Sequence, residues 1–182
     1  TESFGRVVAR FLAVALSAKA ISTKNLGVYF QKFPEAIRDD IAEKFTGPLT
    51  QQIEDVISQT KKDLKKAPET GLELAERVIE LTEDSLEKLE DLLSGAGYKL
   101  EIIRGQVANA IYLSTSAYFN HVIEGTGYED PGPACLELSQ RALLICPSGN
   151  VARKLETDIE YLEEWIAGEP RRKLNPEFKA IQ

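Results

Sequence analysis

Between Leu72 and Leu93, apolar residues recur at steps of three and four, which is the spacing of one face of an α-helix. The opposite positions carry six glutamates: Glu73, Glu76, Glu80, Glu83, Glu87 and Glu90. A strand would require apolar and polar residues to alternate, and no stretch of the sequence does so. The pattern predicts a long amphipathic helix from about Thr70 to Leu93, with an acidic outer face, and it favours an all-α fold.

Glycine and proline divide the rest of the chain into segments that also have helical periodicity. We expect further helices over residues 2–21, 22–33, 34–46, 48–66, 98–124, 134–146 and 151–167. The break between the third and fourth is placed at Gly47-Pro48, because a proline ends or kinks a helix. We therefore expect a compact bundle of about eight helices, forming a single all-α domain over residues 1–168. Residues 169–182 are expected to form a flexible or surface-draped tail.

The segment 98–124 differs from the others because its apolar residues lie on all sides. No lysine, arginine, aspartate or glutamate occurs between Arg104 and Glu124. A helix that is apolar all round is typical of the centre of a bundle. Its uncharged polar residues are too numerous for a helix that spans a membrane. We therefore expect this segment to be the central helix.

The same segment has more polar residues than the core of a bundle requires. Buried polar groups must be hydrogen-bonded, so these residues either bond to neighbouring helices or line a pocket for a small molecule or lipid. Both alternatives stay open. The candidate ligand-binding residues are Asn109, Tyr112, Ser116, Asn120 and His121.

No complete catalytic or metal-binding set is present in the sequence. His121 is the only histidine, and nothing near it in sequence pairs with it to activate a nucleophile. We interpret it as a hydrogen-bonded core residue. Asp39, Asp40 and Glu43 have the spacing of a magnesium motif, but such a pattern arises easily in a charged helix. We expect no catalytic residue, no metal and no cofactor, and we favour a non-enzymatic function.

The net charge of −7, from 29 acidic and 22 basic residues, repels phosphate backbones. Nucleic acid is therefore not an expected partner. Cys135 and Cys146 lie about 16 Å apart if one helix carries both, which is too far for a disulfide. We interpret them as small core residues in a reducing compartment, and we expect a cytoplasmic protein. The lack of any methionine suggests a processed chain or a fragment.

The first helix is apolar over more than one face. Burial within the bundle, a protein partner or a membrane surface would each cover the excess. Its three cations, Arg6, Arg10 and Lys19, attract anionic lipid only weakly, so membrane attachment is the least favoured. The candidate protein-interface residues are Val7, Phe11 and Val14, and the partner is another protein or a second copy of this chain.

A short spacing pattern occurs late in the chain. Cys135 is followed by Ala142 after seven residues and by Pro147 after five more. This resembles the second helix of a tetratricopeptide repeat, although the segment before it lacks the large aromatic, Leu-Gly and tyrosine pattern of that family. The resemblance implies a short TPR-like helical array as an alternative to the bundle.

Taken together, these features favour a non-catalytic protein–protein interaction or adaptor domain. The alternative is an all-α domain, or enzyme, that binds a small molecule or lipid in a pocket against the 98–124 helix.

Overall fold

The computed structural model describes residues 4–17, 20–30, 35–93, 97–125 and 130–168, and within these ranges the all-α fold is confirmed. No strand occurs among the described residues. They form seven α-helices: α1 (Phe4–Ser17), α2 (Thr23–Phe30), α3 (Glu35–Lys66), α4 (Gly71–Leu92), α5 (Gly97–Glu124), α6 (Gly132–Ile145) and α7 (Gly149–Ala167). A single 3₁₀ turn, Pro68–Thr70, precedes α4.

The predicted break at Gly47-Pro48 is wrong, because α3 continues through Pro48. A proline inside a helix removes one N–H hydrogen bond and crowds the carbonyl group four residues earlier. Here Lys44, Gly47 and Pro48 are all exposed, so water can hydrogen-bond to the carbonyl group that lacks its donor. The helix therefore continues, and the two helices expected here are one.

The other expected boundaries lie close to the observed ones. Ser22 caps α2, since its hydroxyl oxygen accepts a hydrogen bond from the backbone N–H of Asn25 at 3.2 Å. Lys65 and Lys66 occupy the last turn of α3, and Glu69 lies in the turn that follows. These charges complement the helix dipoles. The six glutamates of α4 are also exposed as expected.

Contacts along the chain define two units. The first comprises Thr1–Ser58 and Glu80–Arg104, and the second comprises Gln59–Ile79 and Gly105–Gln182. Helices α3, α4 and α5 contribute residues to both. The single domain expected over residues 1–168 stays a prediction, and the tail at 169–182 lies outside the described residues.

The first unit has an apolar cluster around Ala9, Leu26 and Leu92, all of them buried. Partly buried apolar side chains surround it: Val8, Leu12, Leu16, Ile21, Phe45 and Leu49. Helix α1 contributes one face to this cluster. Its other face is exposed, although it is also apolar.

The second unit contains the part of α5 that was expected to be central. From Val107 to Phe119, every residue except Leu113 is at least partly buried. Helices α6 and α7 pack against each other. Phe119 of α5, Cys135 of α6 and Leu162 of α7 meet in one buried cluster. This packing brings the middle of α5 together with α6 and α7.

Candidate ligand-binding site

A pocket of about 250 Å³ lies between α5, α6 and α7 in the second unit. Helix α5 contributes Tyr112, Thr115, Ser116, Phe119 and Asn120, α6 contributes Cys135, and α7 contributes Asp158, Tyr161 and Leu162. The volume corresponds to about eight water molecules at roughly 30 Å³ each. It lies below the roughly 300 Å³ at the lower end of sites for drug-sized ligands. The pocket therefore suits a small ligand.

Aromatic rings form one wall of the pocket. Phe119 meets Tyr161 edge to face, with ring centroids 5.8 Å apart. Trp165 contacts the same phenylalanine, with centroids 5.0 Å apart and planes at 74°. Edge-to-face contacts of this kind are favourable beyond the area they bury. They fix α5 against α7, while Tyr161 remains 49% exposed and open to a ligand.

Asp158 places a half-buried carboxylate in the same wall. Its Oδ2 accepts a hydrogen bond of 2.9 Å from the Ser139 hydroxyl. No lysine or arginine in the described ranges forms an ion pair with it. Burial raises the pKa of Asp158 above its ordinary value, and the bond from Ser139 opposes this rise. When ionised, the group is a negative charge whose burial no cation offsets.

The hydroxyl groups along α5 differ in their hydrogen bonding. Ser114 donates to the backbone carbonyl of Ala110 at 2.9 Å, and Thr115 donates to that of Tyr112 at 3.0 Å. The Ser116 hydroxyl is enclosed and has no partner. An unpaired buried hydroxyl costs about 1–3 kcal/mol. Since the Ser116 side chain lines the pocket, a rotation of its hydroxyl toward the pocket would let a bound polar group supply the missing hydrogen bond. The Ser85 hydroxyl, in the first unit, is also without a partner.

The thiol of Cys135 is neutral at physiological pH. Burial and the negative charges of Asp158 and Asp130 raise its pKa to about 12. Its Sγ lies 3.6 Å from the backbone carbonyl oxygen of Thr115, to which it donates. Since the thiolate is the reactive form of cysteine, this group is not a nucleophile. Cys135 and Cys146 are both buried and free, in keeping with their interpretation as core residues.

One aspartate fixes the start of α6 beside the pocket. Asp130 Oδ1 accepts hydrogen bonds of 2.9 Å from the backbone N–H of Gly132 and from Nε1 of Trp165. At Gly132, a Cβ atom would lie 2.9 Å from side-chain atoms of both Trp165 and Ile166. The close approach of α6 to α7 therefore requires glycine at this position.

The five predicted ligand-binding residues fall into two groups. Tyr112, Ser116 and Asn120 line the pocket. Asn109 is half-buried on α5 and is not part of the lining, and His121 is exposed near the end of the helix. The interpretation of His121 as a core residue is wrong, because the apolar surroundings of α5 do not extend to its last turn.

Comparison with protein-family models, with curated proteins and with solved structures finds no match. The tetratricopeptide resemblance of residues 135–147 therefore stays a prediction. Cys135 and Ala142 are buried, and α6 ends before Pro147. An ordinary helical hairpin has the same features.

Sequence reasoning missed the contribution of α7 to the pocket, but a signal was present. Leu155 and Leu162 are buried on the inner face of α7. Asp158 lies three residues after the first and four before the second, so it occupies the same face. A carboxylate in an apolar stripe is an exception to the usual burial pattern, and it identifies α7 as a wall of a polar site.

The predicted interface residues lie on the exposed face of α1. Val7, Phe11 and Val14 are 52%, 73% and 68% exposed, and Phe4 extends the same stripe at 69%. Residues 4, 7, 11 and 14 alternate steps of three and four, so they form one line along the helix. The structure thus leaves this face without cover from the rest of the described chain.

Two other features are absent from the described ranges. No group of three or more histidine, cysteine, aspartate or glutamate side chains there is arranged to hold a metal ion. The side chains of Asp39 and Asp40 lie outside the described residues. No described helix combines the length and the hydropathy needed to cross a membrane.

Proposed function

We propose that this protein binds a small molecule in the pocket between α5, α6 and α7. The observation that carries the proposal is the enclosed, unpartnered hydroxyl of Ser116 in the pocket wall. Buried polar groups in folded proteins nearly always have a hydrogen-bond partner. The carboxylate of Asp158 and the rings of Phe119 and Tyr161 add charge and apolar surface to the same site.

The lining favours binding over turnover. The thiol of Cys135 is protonated because its pKa is about 12. A serine or threonine nucleophile needs an adjacent base, and His121 is not among the lining residues. The Asp158 carboxylate already accepts a hydrogen bond from Ser139. The side chains that line the pocket therefore recognise a ligand without activating it.

The first test is native mass spectrometry of freshly purified full-length protein, combined with a thermal-shift screen of small polar compounds. We expect a bound compound, or compounds that raise the melting temperature. Ser116→Ala should weaken this binding, whereas Ser58→Ala, which removes an exposed hydroxyl from α3, should not. A screen in which both variants respond as the wild type does would contradict the proposal.

The second test needs no ligand. If the Ser116 hydroxyl is unsatisfied in the empty protein, Ser116→Ala should stabilise the fold by about 1 kcal/mol. A loss of stability would show that the hydroxyl already has a partner, and that the pocket does not need an occupant.

A second candidate function is self-association through α1, and the spacing of its exposed apolar stripe favours it. Positions 4, 7, 11 and 14 have the alternating three-and-four repeat of a coiled-coil seam. All four are occupied by phenylalanine or valine: Phe4, Val7, Phe11 and Val14. Such a seam is self-complementary about a two-fold axis, so we propose a second copy of this chain as its partner.

Light scattering as a function of concentration tests the dimer. We expect the wild type to dimerise and Phe11→Glu to remain monomeric. Leu144→Glu is the matched control, since Leu144 is 81% exposed on α6, outside the stripe, and it should dimerise like the wild type. A wild type that is monomeric at every concentration would refute this candidate.

A further inference from the structure

We propose that the ligand of the α5–α6–α7 pocket is a small organic cation, specifically a protonated amine held between the Asp158 carboxylate and the aromatic wall. The inference rests on the proposed function and adds the chemical class of the ligand. Its support comes from the carboxyl group in the pocket, the aromatic side chains of the lining, the available hydrogen-bond acceptors and the volume.

The charge of the pocket selects a cation. Asp158 is the only carboxyl group among the described lining residues, no lysine, arginine or histidine is among them, and Cys135 keeps its proton. In the described ranges no basic side chain pairs with Asp158. An anion would be repelled at close range in a partly desolvated site, whereas a cation would offset the cost of burying the carboxylate.

The aromatic lining recognises the same charge. Tyr112 and Phe119 of α5 and Tyr161 of α7 all border the pocket. The face of an aromatic ring is electronegative, and a cation within about 6 Å of the ring centroid is attracted to it. Protein sites for alkylammonium groups commonly combine several rings with a carboxylate. This pocket contains both components.

The free hydrogen-bonding groups suit an ammonium group. Oδ2 of Asp158 is occupied by Ser139, but Oδ1 has no donor among the described residues. The Ser116 oxygen is also without a partner, and the side chain of Asn120 offers an amide oxygen. An ammonium group has only donors, with up to three N–H bonds to distribute among these acceptors.

The volume restricts the ligand to a small amine. About 250 Å³ accommodates a short alkyl chain beside the rings together with one ammonium group. A long polyamine would extend beyond the pocket and would leave its remaining charges without partners there. We therefore expect a monoamine with a short apolar substituent.

The test compares three probes of similar size and different charge: butylammonium, 1-butanol and butyrate. Trp165 is the only tryptophan of the chain, and its ring packs against Phe119 of the pocket wall. Its fluorescence therefore reports binding to the full-length protein. We expect butylammonium to bind at least about tenfold more tightly than 1-butanol, and butyrate not to bind.

Two variants assign the selectivity to the proposed groups. Asp158→Asn should reduce the affinity for butylammonium at least about tenfold and leave that for 1-butanol unchanged. Glu160→Gln is its control, because it makes the same change of charge at an exposed position of α7. Tyr161→Leu should also weaken butylammonium more than 1-butanol. As Tyr161 is half exposed, this variant tests the proposal even if Asp158→Asn fails to fold.

The outcomes separate this inference from the function on which it rests. If 1-butanol binds as tightly as butylammonium, or if Asp158→Asn and Tyr161→Leu retain the wild-type preference, the cation assignment is wrong while small-molecule binding stands. If none of the probes binds, the cation assignment is also overturned. The Ser116→Ala comparison in the wider screen then decides the proposed function independently.

Discussion

Gly71, the first residue of α4, is the position at which a single added methyl group should most clearly perturb the second unit. A Cβ atom there would lie 2.2 Å from the backbone oxygen of Ser114 and 2.9 Å from Cβ of Tyr118, both on α5. The first distance is 1.2 Å shorter than the 3.4 Å at which ordinary contact begins. The obstacle is backbone, so no side-chain rotation relieves the clash.

The expected effect of Gly71→Ala follows from two opposing contributions. Overpacking costs about 1–3 kcal/mol, and the upper end applies because α5 itself must move. Alanine is favoured over glycine in a helix by up to about 1 kcal/mol, and the backbone of Gly71 is already helical at φ −59° and ψ −35°. The net loss of stability is about 2 kcal/mol. For a chain of this length, that lowers the melting temperature by roughly 4–8 °C.

Gly105→Ala is the matched control. The same methyl group at this α5 position would lie 3.9 Å from Sγ of Cys146 and 4.0 Å from Cγ2 of Val151, which is ordinary contact. The helix preference then acts alone, and we expect a gain of about 1 kcal/mol. Thermal unfolding followed by circular dichroism measures both variants. A Gly71→Ala protein that melts at or above the wild-type temperature would refute the close approach of α4 to α5.

Three further predictions concern other parts of the chain. Cys135 should resist thiol reagents up to about pH 10 in the native protein, because its pKa is about 12. It should react once the protein is unfolded, and a Cys146→Ser background removes the other thiol. Rapid labelling of the native protein at pH 8 would contradict this prediction. Leu26→Ala, at a fully buried site of the first unit, should cost about 2–5 kcal/mol in a denaturant titration. Phe11→Ser, on the exposed face of α1, should change stability by less than about 0.5 kcal/mol at a protein concentration at which the wild type is monomeric, because a dimer would add its own stability. Equal effects would contradict the assignment of the two sites. Burial raises the pKa of Asp158 above 3.8, so the folded protein loses stability as pH rises from 3.8 through the folded pKa and the group ionises. The melting temperature of Asp158→Asn should therefore exceed that of the wild type at pH 7, and the difference should disappear below pH 3.8. A difference that is the same at every pH would contradict the assigned shift.

Helical periodicity was sufficient to predict the fold class and most helix ends, because apolar steps of three and four admit no strand. The stripe between Leu72 and Leu93 and the buried centre of α5 are the clearest cases. The continuation of α3 through Pro48 was not predictable in the same way. A proline removes only one hydrogen bond, and whether the helix ends there depends on the solvent around it.

The sequence could not show which face of α1 is exposed. Val8 and Leu12 pack in the first unit, while Val7 and Phe11 remain exposed. All four are apolar and lie on the same two turns of α1, where each exposed residue is followed directly by a packed one. A pattern that is apolar on both faces does not indicate which face meets the core, so the choice is settled by packing with residues distant in sequence.

The polar residues of α5 show why the pocket was only partly predictable. The sequence shows how many hydroxyl groups α5 carries, but it does not show which of them donate hydrogen bonds to the backbone of their own helix. Ser114 and Thr115 donate to carbonyl groups one turn earlier, so they need no ligand and no neighbouring helix. Among the buried side-chain hydroxyl groups described on α5, only that of Ser116 has no partner. It lines the same pocket as Asp158, which is 42 residues further along the chain. The pocket that these two side chains share depends on how α5 packs against α7, which the order of residues in the sequence does not show.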